Sequence, residues 1–216
     1  MPEEHSQGEP LPGRTFVARH AQTVFNATGR IQAELLHTPL TRGGIAQAEA
    51  MGEAFRHLLG PRPEVELWAS PTGRTLQTLA IICEHLELDW HAAHTDPRLG
   101  EIGMGGWDGQ RYELLEAEHG PIYDRELRLF VQRPPGGEAY GDVAARITDW
   151  VREQTADLTR IVVMHGVSGA VLRAVVTGEG RPHPSCGTPV ADPLPQGSIV
   201  LLEGGRESVA YLHEED

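Results

Sequence analysis

Thr15-Phe16-Val17-Ala18-Arg19-His20 and Ile161-Val162-Val163-Met164-His165-Gly166 decide how this chain of 216 residues is read. Each is a short apolar run that ends on a histidine, and each reads as a buried strand with that histidine at its C-terminal end. Open α/β sheets place their chemistry there. A third run, Glu66-Leu67-Trp68-Ala69, leads into Ser70-Pro71 and then Arg74. Three strand ends therefore offer two histidines and two arginines from distant parts of the chain.

Working outward, Thr41 is placed as the N-cap of a helix. Ile45, Ala48, Met51, Gly52, Phe55, Leu58 and Leu59 follow at helical spacing until Gly60-Pro61. A second helix is expected over 73–86, with Leu76, Leu79, Ala80 and Cys83 inward. Trp90 to Ala93 reads as a short strand. Asp96-Pro97 opens a glycine-rich loop that carries Glu101 and Trp107. Two short helices are expected at 112–118 and 122–130, and a longer one through Val143, Ile147, Trp150 and Val151. After the strand at 160–164, a helix is placed from Gly169 to Val176 and a loop from Gly180 to Gly197. Ile199 to Leu202 and Val209 to Leu212 close the chain as a strand pair around Gly204-Gly205. This alternation favours one layered α/β domain over 14–213, with residues 1–13 as a disordered tail and Glu214-Glu215-Asp216 as a solvated end.

The formal net charge of −13 disfavours nucleic acid and anionic membranes as partners. No apolar stretch is long enough to span a bilayer. The 18 basic residues are all arginine, which removes lysine Schiff-base chemistry and the Gly-Lys phosphate loop. Cys83 and Cys186 lie far apart without metal-type spacing, as in a reduced cytoplasmic protein. His91 and His94 lack a third ligand and are read as structural or solvent-facing.

Phosphoryl transfer asks mainly for positioning and positive charge around the equatorial oxygens. Arg19 and Arg74 suit that task because a guanidinium fork donates two hydrogen bonds to one phosphate. A neutral imidazole between them can attack phosphorus, and His20 is the candidate. His165, if protonated, would add charge and a donor to the transition state. Expulsion of an alkoxide needs a proton donor, for which Glu101 is the candidate, with Asp96, Asp108 and Glu113 as competitors.

Val17-Ala18-Arg19-His20-Ala21-Gln22-Thr23 through Asn26, Gly29-Arg30 and Gln32 resembles the signature of the histidine phosphatase superfamily, phosphoglycerate mutase-like branch. The later signatures follow in order: 39–44 with Gln47-Ala48, Ser70-Pro71 with Arg74 and Gln77-Thr78, Leu99-Gly100-Glu101-Ile102 with Gly105, Trp107 and Gly109, then Pro135-Gly136-Gly137-Glu138 and His165-Gly166. The resemblance implies a three-layer α/β/α sandwich with a central, mostly parallel sheet. It implies a phosphohistidine on His20, with Arg19, Arg74 and His165 around the phosphate and Glu101 as acid and then base. Asn26, Thr23, Gln32 and Gly166 are expected on the substrate side. Neither metal nor cofactor is expected; the partner is a small phosphorylated substrate, and oligomeric state is left open.

Ala21 stands where the family usually has glycine, which matters only if the backbone there is left-handed. The mutases follow their acid with Arg-His-Tyr-Gly and use a lysine; here Ile102-Gly103-Met104 follows, and lysine is absent. These departures favour a small phosphatase acting on a metabolite. A mutase and a catalytically silent phosphate-binding or interaction module are the alternatives. Specificity is expected from about 103–133 and from the loop after Val176.

Overall fold

The computed structural model describes residues 8–213. In chain order the elements are β1 (Gly13–Arg19), α1 (Val24–Ala27), α2 (Arg42–Leu59), β2 (Glu66–Ala69), α3 (Gly73–Leu86), β3 (His94–Thr95), α4 (Tyr112–His119), β4 (Tyr123–Asp124), β5 (Leu129–Phe130), α5 (Tyr140–Glu153), β6 (Leu158–Met164), α6 (Gly166–Thr177), β7 (Arg181–Pro182), β8 (Pro189–Val190), β9 (Ile199–Glu203) and β10 (Arg206–Tyr211).

Alternate residues of the central strands are apolar on both sides, so the sheet is covered on both faces. Phe16, Ala18, Ile161 and Val163 face one way and meet Met51 and Phe55 of α2 with Leu79, Ile82 and Leu86 of α3. Val17, Val162 and Met164 face the other way, against Val143, Ile147 and Trp150 of α5 with Ala170 and Val171 of α6. Each fully buried large apolar side chain here contributes roughly 1.5–3 kcal/mol. The result is the expected three-layer α/β/α sandwich. Its six-stranded sheet has the order β10-β9-β1-β6-β2-β3. β1, β6, β2 and β3 run parallel, and β9 is antiparallel to β1 and β10. No helix among the described residues is long and apolar enough to cross a membrane.

Both layer-forming helices on the first face start and stop on local signals. Thr41 Oγ1 accepts the Gly44 N–H at 2.9 Å, and Gly60 ends α2 at φ +74°. Gly44 also sets where α2 meets the chain leaving β1. A Cβ at that position would lie 2.0 Å from the Gln22 carbonyl oxygen.

Several expectations are corrected. The segment 122–130 is a two-stranded antiparallel hairpin, not a helix, pairing Tyr123 with Phe130 and Asp124 with Leu129. The 90–93 stretch is one 3-10 turn begun by Asp89, whose side chain accepts the His91 N–H; β3 follows it. The last helix starts directly at Gly166, three residues earlier than expected. Ile45 and Leu58 lie on the solvent side of α2 at 47% and 45% exposure. The ordered chain also begins before residue 14. The Glu9 N–H donates to the Val175 carbonyl at 2.8 Å, and Leu11 is buried in the α5–α6 layer. The rest of the expected tail, residues 1–7, and the acidic end at 214–216 lie outside the described residues.

Candidate active site

The parallel register of β1 and β6 pairs Arg19 with Met164, so the residues after each strand emerge side by side. The His20 N–H donates to the Met164 carbonyl at 2.9 Å. The His20 and His165 rings lie 5.3 Å apart at 66°. Both side chains are buried, at 2% exposure.

Hydrogen bonding fixes the state of each ring. His20 Nδ1 lies 2.8 Å from the Ala21 carbonyl oxygen, which can only accept. Nδ1 therefore carries the proton and Nε2 keeps its lone pair. His165 Nδ1 accepts from Arg74 Nε at 3.2 Å, and a guanidinium can only donate. His165 thus carries its proton on Nε2, a buried atom without a partner in the protein. Burial, then Arg74 and Arg19, hold His20 well below the usual imidazole pKa. His165 is depressed likewise by burial, Arg74 and His20. The protonated His165 considered from sequence is therefore replaced by a neutral ring that offers one N–H.

Arg74 enters from the first turn of α3 and is 1% exposed. Its Nη1 donates to Leu35 O at 3.0 Å and Thr38 Oγ1 at 2.9 Å, and Nη2 donates to Ala33 O at 2.7 Å. Burial lowers its pKa to about 10, so it stays charged near neutrality. Most of the fork anticipated for phosphate is thus committed to the 33–38 segment. Arg19 is freer: Nη1 donates to Leu194 O, and Nε is buried without a partner. Burial also lowers its pKa, with Glu101 opposing. Ala21 is buried and is not among the residues with positive φ, so its methyl costs no backbone strain.

Glu101 sits across the site on the first turn of α6. Oε2 accepts the N–H groups of Gly166 and Val167 at 3.1 and 3.2 Å, and Oε1 those of Ser168 and Ile102 at 3.0 Å each. Its loop is held by Arg146, which donates to Gly100 O at 2.9 Å and Glu101 O at 3.1 Å while pairing with Glu138 at 2.9 Å. Sequence reasoning missed Arg146. The available signal was a charged residue one position before Ile147, on the edge of the apolar face of α5. Of the competing acids, Asp96 is bound to Arg98, Glu113 is exposed, and Asp108 does not line the cavity.

The cavity has two lobes that share Arg19, Asn26, Glu101, Tyr112 and Phe130. The inner lobe adds His20, Arg74, Arg30 and Gln32. The outer lobe, which is the more open of the two, adds Gln22, Tyr123, Arg128, Gly166, Pro193 and Gln196. Asn26, Gln32 and Gly166 therefore line the cavity. Thr23 does not: it is fully buried and caps α1, with Oγ1 2.7 Å from Gln32 Oε1 and 2.8 Å from Asn26 Oδ1. Tyr112, Tyr123 and Phe130 form a further wall that the sequence did not single out. Tyr112 and Phe130 stack at 5.9 Å, and Tyr123 meets Phe130 edge-on at 5.1 Å.

This arrangement can bind an anion, present a neutral nitrogen nucleophile and place a carboxyl within the same cavity. The sequence profile of the histidine phosphatase superfamily (branch 1) matches residues 15–205. A 6-phosphofructo-2-kinase/fructose-2,6-bisphosphatase of Caenorhabditis elegans is 31% identical over 77% of this chain and 34% of its own length. The chain thus spans about a third of that relative. A probable phosphoglycerate mutase of Yersinia pestis is 28% identical over 76% of this chain and 75% of its own. Among solved structures, a mycobacterial glucosyl-3-phosphoglycerate phosphatase in complex with VO3 superposes with a TM-score of 0.71. It is 25% identical and covers 93% of this chain and 100% of that one.

Proposed function

The chain belongs to branch 1 of the histidine phosphatase superfamily, and from that premise we propose a metal-independent phosphomonoesterase that acts on a small phosphorylated metabolite. The enzyme works by histidine-based phosphoryl transfer, the chemistry common to the family's phosphatases and mutases. One observation carries the finer reading. His20 presents an unprotonated Nε2 toward a cavity lined by the Arg19, Arg30 and Arg74 guanidinium groups, the Asn26 and Gln32 amides and the Glu101 carboxyl, with the His165 ring packed 5.3 Å from its own.

In the first step His20 Nε2 attacks phosphorus, the bond to the leaving oxygen breaks, and Glu101 gives that oxygen a proton. In the second, water attacks the phosphohistidine, Glu101 takes a proton from it, and orthophosphate leaves with His20 restored. Arg19 and the His165 N–H stabilise the equatorial oxygens, while Arg74 supplies fixed charge and orients His165. Asn26 and Gln32 contact the substrate, held in place by Thr23. We take the single catalytic domain, expected over 14–213, to begin by Glu9, where the chain joins the α5–α6 layer. The free thiols of Cys83 and Cys186 support a reducing, cytoplasmic setting.

The test is hydrolysis of p-nitrophenyl phosphate by wild type and His20→Ala, with and without EDTA. EDTA-insensitive turnover that vanishes in the folded variant is expected. Turnover retained in His20→Ala, or lost with EDTA, overturns the assignment. The Yersinia relative motivates a second reading, in which the phosphoryl group returns to an organic acceptor. That reading requires product isomers without orthophosphate release.

A further inference from the structure

Arginine and carboxylate are matched over most of this molecule. Arg56 and Arg62 share Glu87, Arg98 joins Asp96 and Glu153, Arg146 joins Glu138, and Arg173 joins Glu207. Seven arginines stand outside the pattern among the described residues; Arg42, Arg111 and Arg206 lie elsewhere, and the other four gather in one cavity. Arg19, Arg30, Arg74 and Arg128 have no carboxylate within 4 Å among the described residues. With 31 acidic residues in the chain, this gathering of unmatched cations is a local exception. Arg19 and Arg74 face the phosphoryl position beside His20. Arg30 is partly used, donating from Nη1 to Gly109 O at 2.8 Å. Arg128 has neither a carboxylate nor a carbonyl partner among the described residues, and its guanidinium meets only the Tyr123 hydroxyl.

The β4–β5 hairpin holds Arg128 over the outer lobe. Asp124 Oδ1 accepts the N–H groups of Glu126 and Leu127, both at 2.9 Å, so this nearby acid is committed to the turn. Arg128 itself has φ +56°, a left-handed conformation that arginine rarely adopts. The turn is fastened beyond it: the Phe130 N–H donates to Tyr140 Oη at 3.1 Å, and His183 Nε2 lies 2.7 Å from Phe130 O. The charge of Arg128 reaches the site, since it disfavours protonated Arg19 and opposes the rise that burial imposes on Tyr123.

Placement of the reacting groups says what meets this cation. His20 and Arg74 line only the inner lobe, and Glu101 lies where the two lobes join. A leaving oxygen protonated by Glu101 therefore stands at the junction, and the rest of the leaving group extends past Tyr112 and Phe130 toward Tyr123 and Arg128.

We propose that Arg128 is a specificity-determining residue that binds a second anionic group, carboxylate or phosphate, on the leaving group of the phosphomonoester. The inference rests on the phosphatase reading above and adds the class of substrate: phosphorylated hydroxy acids or bisphosphates, rather than esters of neutral alcohols. Gln22 and Gln196 offer amides at the rim of the same lobe, and the aromatic wall takes the carbon skeleton.

Two matched pairs test it. 3-Phosphoglycerate and glycerol 3-phosphate differ by carboxylate against hydroxymethyl; fructose 1,6-bisphosphate and fructose 6-phosphate differ by the second phosphate. The wild type is expected to favour the doubly anionic member of at least one pair by tenfold or more in kcat/KM. The pair that responds distinguishes carboxylate from phosphate. Arg128→Gln should lower kcat/KM for that member roughly 10- to 100-fold, mainly through KM, as for loss of a charge-assisted hydrogen bond. Its singly anionic counterpart should lose at least five times less. Arg128→Lys, equally strained but still cationic, should recover a third or more of the preference. No preference in wild type, or a preference intact in Arg128→Gln, overturns the inference while leaving turnover of p-nitrophenyl phosphate to support the phosphatase. If wild type hydrolyses neither these esters nor p-nitrophenyl phosphate, the phosphatase reading fails instead. Calorimetric binding of the same pairs to wild type and Arg128→Gln then decides on Arg128 by the same ratios.

Discussion

The two sides of the cavity are built differently. The inner side stands on the ends of β1 and β6, where register, burial on both faces and one backbone hydrogen bond place His20 against His165. The outer side hangs on a hairpin whose strands are two residues long, fixed by side chains from α5 and the 180–197 loop. Sheet register cannot slip without turning a whole core inside out. The hairpin can shift at the cost of a few hydrogen bonds. On the proposed function, reaction chemistry on the first support and substrate choice on the second would let one change without the other.

Substitutions should divide along the same line. The largest effect is expected for His20→Ala, at least 10⁴-fold in turnover of p-nitrophenyl phosphate, with native circular dichroism. A milder loss would move the nucleophile elsewhere. Glu101→Gln should slow alkyl phosphates about 10²- to 10⁴-fold and the activated aryl ester far less. Equal losses on both would leave Glu101 only its role at the start of α6.

A third expectation concerns pH and the folded state. His20 and His165 are held neutral when folded but titrate near 6.5 when unfolded. The unfolded chain then binds more protons below that value. Stability should be insensitive to these rings above pH 6.5 and fall by up to about 1.4 kcal/mol per pH unit for each as the pH drops below it. Denaturant unfolding of wild type and His165→Asn at pH 7.5 and 5.5 measures the difference. Equal slopes would mean that His165 protonates without unfolding. The smallest change belongs to the outer side. His183→Ala removes the partner of Phe130 O, costs about 1 kcal/mol, and should raise KM a few-fold with kcat kept. A fall in kcat of the same size would show the hairpin coupled to the chemistry.

What the sequence reveals follows the same division. β1, β6, α2 and α3 announce themselves because local signals and burial agree: apolar runs end at polar residues, Thr41 caps, and Gly60 stops. The same runs place Arg19, His20, Arg74 and His165 at strand ends that the sheet register brings together. The hairpin at 122–130 misleads, since Ile122, Leu127, Leu129 and Phe130 also fit a helical stripe. Contacts from Tyr140 and His183, distant in sequence, decide between the two. Thr23 was misplaced because a hydroxyl near the histidine suits either a ligand or a cap. Arg146 escaped notice since its partners are carbonyls of a loop more than forty residues away.

Glu101 leaves a mark on α6 that extends beyond acid–base chemistry. The helix has no capping side chain of its own; its first three N–H groups all rely on a carboxylate 65 or more residues earlier in the chain. A side-chain cap is worth ~1 kcal/mol. A carboxyl that turns toward a leaving oxygen uncovers those N–H groups, and a phosphoryl oxygen suits the vacated helix end. Trading one anion for the other would make the opening turn of α6 a recorder of occupancy. Amide hydrogen exchange at Gly166, Val167 and Ser168 would then follow occupancy of a cavity to which the helix itself brings no carboxylate.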